Sequence, residues 1–154
     1  MLRNNLPNFV TCLNLFCGCV ALVFCSEGSL LSASAMVLLA MVFDFFDGML
    51  ARLLRSSSSI GKDLDSLADV VSFGVVPSML LHEAVNRALE FNTGTLSAFT
   101  GVMLSWLPFI FALGAAWRLA VFNNDPEQST SFKGLPTPAA ALAVPVPRVG
   151  RASG

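Results

Sequence analysis

Between Asn8 and Val121 the sequence passes through four long apolar stretches, and a chain built this way has few ways to fold in water. The first runs from about Asn8 to Cys25 and the second from about Ser29 to Arg55, with no charge before Asp44. The third starts near Lys62 and continues through Pro77 toward His82 and Glu83; the fourth runs from about Leu96 to Val121. A helix needs about 20 apolar residues to cross a bilayer, and these lengths suffice. Hydrophobic residues make up 55% of the chain and charged residues 12%, which excludes an ordinary soluble domain. The expected fold class is therefore all-α integral membrane, a bundle of transmembrane helices. A net charge of −1 and the lack of a basic tract give no sign of nucleic-acid binding.

Against that background the stretch DFFDGMLARLLRSSSSIGKDLDSLAD, Asp44 to Asp69, is anomalous. Asp44 and Asp47 are three residues apart, Asp65 and Asp69 four, so each pair projects from one face of its own helix. An Asp at the centre of a membrane helix costs about 2.5–3.5 kcal/mol, so four cost about 10 kcal/mol unless they lie nearer the interface. The nearby bases, Arg52, Arg55 and Lys62, read as interfacial. Salt bridges to them are one way to compensate the aspartates; the other is hard divalent cations held by carboxylate oxygens, two of which suit a phosphate-containing substrate. Along helix two, Asp44 and Asp47 lie about 16 and 12 Å from the end near Arg55, and along helix three Asp65 and Asp69 lie about 5 and 10 Å from its start. The serine run Ser56 to Ser59 is too short to cross anything, so these helices are expected to be antiparallel neighbours with the two pairs overlapping in depth.

Other residues invite two readings each. Gly48 and Ala51, one turn apart beside the aspartates, read equally as a close helix contact or as a pocket floor for a planar group. Asn8, Thr11 and Asn14 form a polar strip on the first helix, for which capping by Asn8 and back-bonding by Thr11 are the plain explanations. Pro7 is expected in the first turn of that helix, and Pro77 is expected to kink the third. Cys12, Cys17, Cys19 and Cys25 lack paired metal or redox spacing and read as packing residues; His82 reads as interfacial. Arg3 is the one charge ahead of the first apolar run, and Cys25-Ser26-Glu27 is a poor cleavage site, so that run is expected to be a retained span. Bases near span ends, Arg3, Arg52, Arg55, Lys62, Arg118 and Lys133 against Arg87, place the N-terminus and the aspartates in the cytoplasm. The apolar run from Ala139 ends after about eight residues at Pro145 and Pro147, too short to span. The expected division is a C-terminally incomplete transmembrane domain over 1–143 and an irregular tail over 144–154.

The pattern D-x-x-D-G-x-x-A-R, eight residues, then G-x-x-x-D-x-x-x-D is filled by Asp44, Asp47, Gly48, Ala51, Arg52, Gly61, Asp65 and Asp69. It resembles the signature of the CDP-alcohol phosphatidyltransferases, a family of integral membrane enzymes. Three stretches, PNFVTCLNLFCG at Pro7, DSLADVVSFGVVP at Asp65 and FKGLPTPAAA at Phe132, are similar to the branch that uses serine. The likeness runs from about Pro7 to Leu142. It departs at Val121, where that branch tends to carry a second arginine after the Arg118 position, and after Ala143, where two further spans of a six-span fold are expected.

The resemblance implies that Asp44, Asp47, Asp65 and Asp69 bind two Mg²⁺ or Mn²⁺ ions on the diphosphate of CDP-diacylglycerol. Asp69 would also take the proton of the L-serine hydroxyl, giving phosphatidylserine and CMP. It further implies that Gly48, Ala51 and Gly61 make room for the nucleotide lipid, that Asn8, Thr11, Arg52 and Ser58 contact it, and that Arg118 and Lys133 serve an acceptor or phosphate site. A homodimer in the cell inner membrane, among membrane lipid, is expected from the same likeness. Two rivals stand beside it: the same chemistry on glycerol 3-phosphate or an inositol phosphate, and a cation transporter using intramembrane carboxylates, although no internal repeat supports the latter.

Overall fold

The computed structural model describes residues 2–54, 59–91 and 98–124, all helix or short turn. Helix α1, Leu2–Ser26, and helix α2, Leu30–Leu54, form an antiparallel hairpin. The turn between them follows from Gly28, whose φ of 74° lies in the left-handed region. Gly28 N–H donates to the Cys25 carbonyl at 3.0 Å and Ser29 N–H to the Phe24 carbonyl at 2.9 Å, the paired bonds of a Schellman end. Arg87 Nη2 donates to the Gly28 carbonyl at 2.5 Å, tying this turn to the far part of the third span. Pro7 lies inside α1 rather than in its first turn, because the helix starts at Leu2 and the proline removes only one backbone bond.

Small residues let the hairpin close. Cys17, Ala21 and Cys25 of α1 and Leu30, Ala33, Val37 and Ala40 of α2 are buried together with Phe73, Val76 and Leu80 of the third span. Without a hydrophobic drive between helices in lipid, such contacts depend on close packing. Two of the four cysteines thus serve packing; Cys12 and Cys19 face outward, and all four are free thiols.

The third span is one rod with a defect. Helix α3, Ser59–Asp69, passes into a π-helical turn, Val70–Val75, and then into helix α4, Val76–Phe91. Val76 N–H bonds to the Val71 carbonyl, five residues back. The wide turn ends beside Pro77, which has no N–H to give the preceding ladder, so the expected kink takes the form of a π-turn. The fourth stretch is broken as well: helix α5, Ala98–Trp106, and helix α6, Phe109–Asn124, meet at a turn at Leu107 and Pro108. Pro108 cannot donate a backbone hydrogen bond, and the continuous helix expected here gives way at that residue.

Four of these helical runs, Leu6–Ser26, Leu30–Leu54, Ser59–Glu90 and Phe99–Asn124, are long and apolar enough to cross a membrane. Their outward faces carry exposed Phe16, Leu31, Phe45, Leu113 and Trp117. α1 packs along both α2 and α3, whereas α2 and α3 touch little and face each other across a cavity. They are neighbours in the expected antiparallel sense without being packed. Gly74 seats α6: a Cβ there would lie 3.2 Å from the Ala115 Cβ and 3.7 Å from the Ala112 Cα.

His82 is half-buried and makes packing contacts beside the α5–α6 break. Asn86 Nδ2 donates to its Nε2 at 3.1 Å, which leaves Nδ1 to donate to the Ser105 carbonyl at 2.6 Å. Its ring lies 5.6 Å from that of Trp106 and 5.5 Å from that of Phe109, so it fastens α4 across the α5–α6 break.

Candidate active site

The two acid pairs meet. Asp44 and Asp47 come from the second half of α2, Asp65 and Asp69 from the second half of α3. Asp44, Asp47 and Asp65 each offer an oxygen, and these oxygens all lie within 4.8 Å of one another. Asp69 stands one turn farther along α3, with its carboxyl beside that of Asp44. Neighbouring carboxyl groups are relieved of their mutual repulsion by a shared proton or a bound cation. Asp47 and Asp69 are buried, and Asp69 Oδ1 has no hydrogen-bond partner.

α1 closes the rear of the site. Thr11 Oγ1 donates to Asp47 Oδ2 at 2.5 Å and lies 3.1 Å from its alternative acceptor, the Pro7 carbonyl. The back-bonding foreseen for Thr11 is present, and so is a contact that aims Asp47. Asn8 is half-buried on the same helix.

In front of the carboxylates lies a cavity of about 650 Å³, between α2, α3 and α6. Asp44, Asp47, Asp65 and Asp69 all line it; so do Gly48 and Arg52 from α2. A Cβ on Gly48 would meet nothing within 4 Å, which makes that residue open cavity wall and not a helix contact. Ala51 and Gly61 are half-buried and not among the lining residues. Arg118, from α6, is among the residues that line the cavity. Ser58 and Lys133 lie outside the described residues, as does the tail after Ala143.

One bracket at the cavity rim has no counterpart in the sequence reading. Lys62 Nζ donates to the Asn123 carbonyl at 3.1 Å, Asn123 Nδ2 donates to Ser66 Oγ at 2.6 Å, and Ser66 Oγ donates to the Lys62 carbonyl at 3.0 Å. It joins α3 to the end of α6 two turns beyond Ala115, the residue that packs on Gly74, so Arg118 lies between two fixed points. Lys62 is thereby spent on a helix end instead of neutralising an aspartate. The i, i+4 spacing of Lys62 and Ser66 was visible in the sequence; their partner, 61 residues from Lys62 and 57 from Ser66, was not.

Two unit charges 4.8 Å apart repel by about 3 kcal/mol at an effective dielectric of 20, and each pair in this cluster adds its own share. Three carboxylate oxygens within 4.8 Å of one another, beside one orphaned buried oxygen, supply the hard donor set that a divalent cation takes. With an open cavity and two arginines in front, the arrangement can bind a polyanion, hold it on cations and take up a proton at Asp69.

Comparison with known proteins agrees with that chemistry. The family described as CDP-alcohol phosphatidyltransferase matches residues 4–149. The CDP-diacylglycerol–serine O-phosphatidyltransferase of Bacillus subtilis is 35% identical over 141 residues, covering 92% of this chain and 73% of the relative. The enzyme of that name from Saccharomyces cerevisiae is 37% identical over 155 residues, covering 90% of this chain and 51% of the relative. The archaetidylserine synthase of Methanothermobacter thermautotrophicus is 33% identical over 143 residues, covering 90% and 55%. The chain thus spans about half the length of the yeast and archaeal relatives. No solved structure matches it.

Proposed function

The chain belongs to the CDP-alcohol phosphatidyltransferase family, and on that premise we propose that it transfers the phosphatidyl group of CDP-diacylglycerol to the hydroxyl of L-serine. The products are phosphatidylserine and CMP. The observation that carries the reading is the meeting of three carboxylates within 4.8 Å beside a cavity walled by Arg52 and Arg118. The relatives' names share serine and differ in the lipid, which favours serine over glycerol 3-phosphate or an inositol phosphate, and a transferase over a cation transporter.

Asp44, Asp47, Asp65 and Asp69 are the residues that would hold two divalent ions, Mg²⁺ or Mn²⁺, and such ions would supply positive charge to the diphosphate and the departing oxygen. Gly48 leaves space for the nucleotide against α2, whereas Ala51 and Gly61, which do not line the cavity, make no contact with it. Arg52 and Arg118 grip phosphate oxygens from opposite walls, where a planar guanidinium can bind two at once. Asn8, Ser58 and Lys133 complete the contacts to nucleotide and acceptor, and Thr11 serves them from behind by orienting Asp47.

Asp69 is the base. It receives the proton of the serine hydroxyl while the serine oxygen bonds to the lipid-side phosphorus. The bond from that phosphorus to the bridging oxygen breaks, and its electron pair leaves with CMP. Because Asp69 stands apart from the closest three carboxylates, it can hold a proton without giving up their cation. The chain works as a homodimer in the cell inner membrane, with the site facing the cytoplasm, where the nucleotide product is released.

The test is CMP release by purified protein in mixed micelles of CDP-diacylglycerol with L-serine and Mn²⁺. Release that depends on serine and is abolished in a folded Asp69→Asn variant is expected. No release, or equal release with glycerol 3-phosphate, refutes the serine assignment.

A further inference from the structure

Asn123 is the last residue of α6 to line the cavity, and the reaction just described gives its side chain no contact with substrate. The hydrogen bonds around it determine which end of the carboxamide is free. A serine hydroxyl has one proton, and Ser66 Oγ gives that proton to the Lys62 carbonyl at 3.0 Å. Ser66 can therefore only accept from Asn123, which puts Nδ2 on the α3 side, 2.6 Å away. The Asn123 carbonyl is taken by Lys62 Nζ at 3.1 Å. Among the described residues, Asn123 Oδ1 accepts no hydrogen bond. It is a neutral acceptor in the cavity wall that cannot change places with its donor: a flipped amide would set Oδ1 against Ser66 Oγ and cost the Ser66–Lys62 bond.

Its position narrows what it can read. Lys62 lies in the first turn of α3 and Asn123 one residue from the end of α6, so these helix ends frame the mouth of the cavity. Asp69, three residues past Ser66, lies deeper. A nucleotide lipid in a membrane keeps its acyl chains in hydrocarbon and its nucleotide toward water. Its base therefore lies nearer the mouth than the diphosphate on the acids. There α2 supplies the open wall at Gly48, where a Cβ would meet nothing within 4 Å, and α6 supplies Asn123. The acceptor's hydroxyl belongs deeper, at Asp69, and its ammonium is drawn to carboxylates rather than to a neutral amide.

We propose that Asn123 Oδ1 accepts a hydrogen bond from the exocyclic amine of the nucleobase and thereby selects cytosine over uracil. Cytosine presents an amine at that edge, whereas uracil presents a carbonyl oxygen, so two acceptors would meet. The bond to Ser66 holds the amide against the rotation that would relieve them. Asn123 thus has two separable tasks: its carbonyl and Nδ2 fasten α6 to α3, and its Oδ1 reads the base. The proposal rests on the phosphatidyltransferase reading and adds the residue that selects its nucleotide.

The experiment measures equilibrium binding of radiolabelled CMP and UMP to the full chain in detergent micelles with Mn²⁺, for the parent, Asn123→Leu and Ser66→Ala. The parent is expected to bind CMP at least tenfold more tightly than UMP. Asn123→Leu is expected to cut that ratio by about 3- to 10-fold, the worth of one hydrogen bond. Ser66→Ala frees the amide to turn and is expected to cut the ratio through tighter binding of UMP. An effect of Asn123→Leu through Arg118 alone would weaken both nucleotides equally. A parent ratio near one, an unchanged ratio in either variant, or binding of neither nucleotide overturns the proposal. So does an Asn123→Leu variant whose one change is a higher KM for serine. A parent that selects CMP but releases none from CDP-diacylglycerol with serine refutes the serine reading by itself, and loss of that selection in Asn123→Leu still supports the base contact.

Discussion

Two glycines in this protein make opposite predictions for the same one-carbon change. At Gly18, a new Cβ would lie 2.5 Å from Ser72 Oγ, 3.2 Å from the Ser72 Cα and 3.3 Å from its Cβ. The hydroxyl can rotate away, but the Cα belongs to the buried π-turn, so α1 and the third span must part. Overpacking of this kind costs about 1–3 kcal/mol, and losing the Ser72 bond to the Asn14 carbonyl adds about 0.5–1.5 kcal/mol. Against this, Gly to Ala in a helix returns about 1 kcal/mol. Gly18→Ala should therefore lose about 1–3 kcal/mol. At Gly48 nothing lies within 4 Å, so Gly48→Ala should gain up to about 1 kcal/mol while narrowing the cavity beside Asp47. Unfolding in detergent micelles, followed by circular dichroism, should separate the two variants by about 2–4 kcal/mol, roughly 4–16 °C in midpoint. CMP release should fall in the more stable variant, Gly48→Ala. Equal stability for the two would refute the close contact of α1 with the π-turn.

Thr11→Val removes the hydroxyl that donates to buried Asp47 and should cost about 1–3 kcal/mol in the same unfolding assay; a change below about 0.5 kcal/mol would show that Asp47 does not depend on it. Asn123→Leu breaks the half-exposed bracket to Ser66 and Lys62, so stability should change by less than about 1 kcal/mol while KM for the nucleotide lipid rises several-fold, and the reverse pattern would deny that the bracket positions Arg118. His82→Leu forfeits two hydrogen bonds far from the cavity and should lower the melting midpoint with kcat/KM unchanged; lost activity in fully folded protein would contradict its role as a fastener. Dialysis against EDTA should abolish CMP release, with recovery on adding Mn²⁺, and activity that survives chelation would rule out the cation site.

What the sequence disclosed depended on whether the signal was periodic or tertiary. Apolar length identified the spans, and helical spacing brought Asp44, Asp47, Asp65 and Asp69 to a common depth because a 1.5 Å rise leaves little freedom along the axis. Rotation about the axis was less constrained. Gly48 and Ala51, weighed together in the sequence, part in the structure: one borders the cavity and the other does not. The break at Pro108 was legible in principle, since a proline inside an apolar run removes a backbone donor. The α2–α3 gap was not, because a short serine connection fixes adjacency and says nothing about whether α1 or empty space fills the middle. Asn14 shows the same limit: its place on a polar strip was plain, while its complete burial depends on the packing of Ser72 and Gly18.

The π-turn at Val70–Val75 acts as a phase shifter in the third span. One extra residue in a helix rotates everything after it by about 100°. Asp65 and Asp69 thus belong to one angular frame, and Leu80, His82 and Asn86 to another. Deleting a single residue between Val70 and Val75 would let the rod relax into a regular helix, and the acids could then face the cavity only if the distal fastening to α5 were turned away.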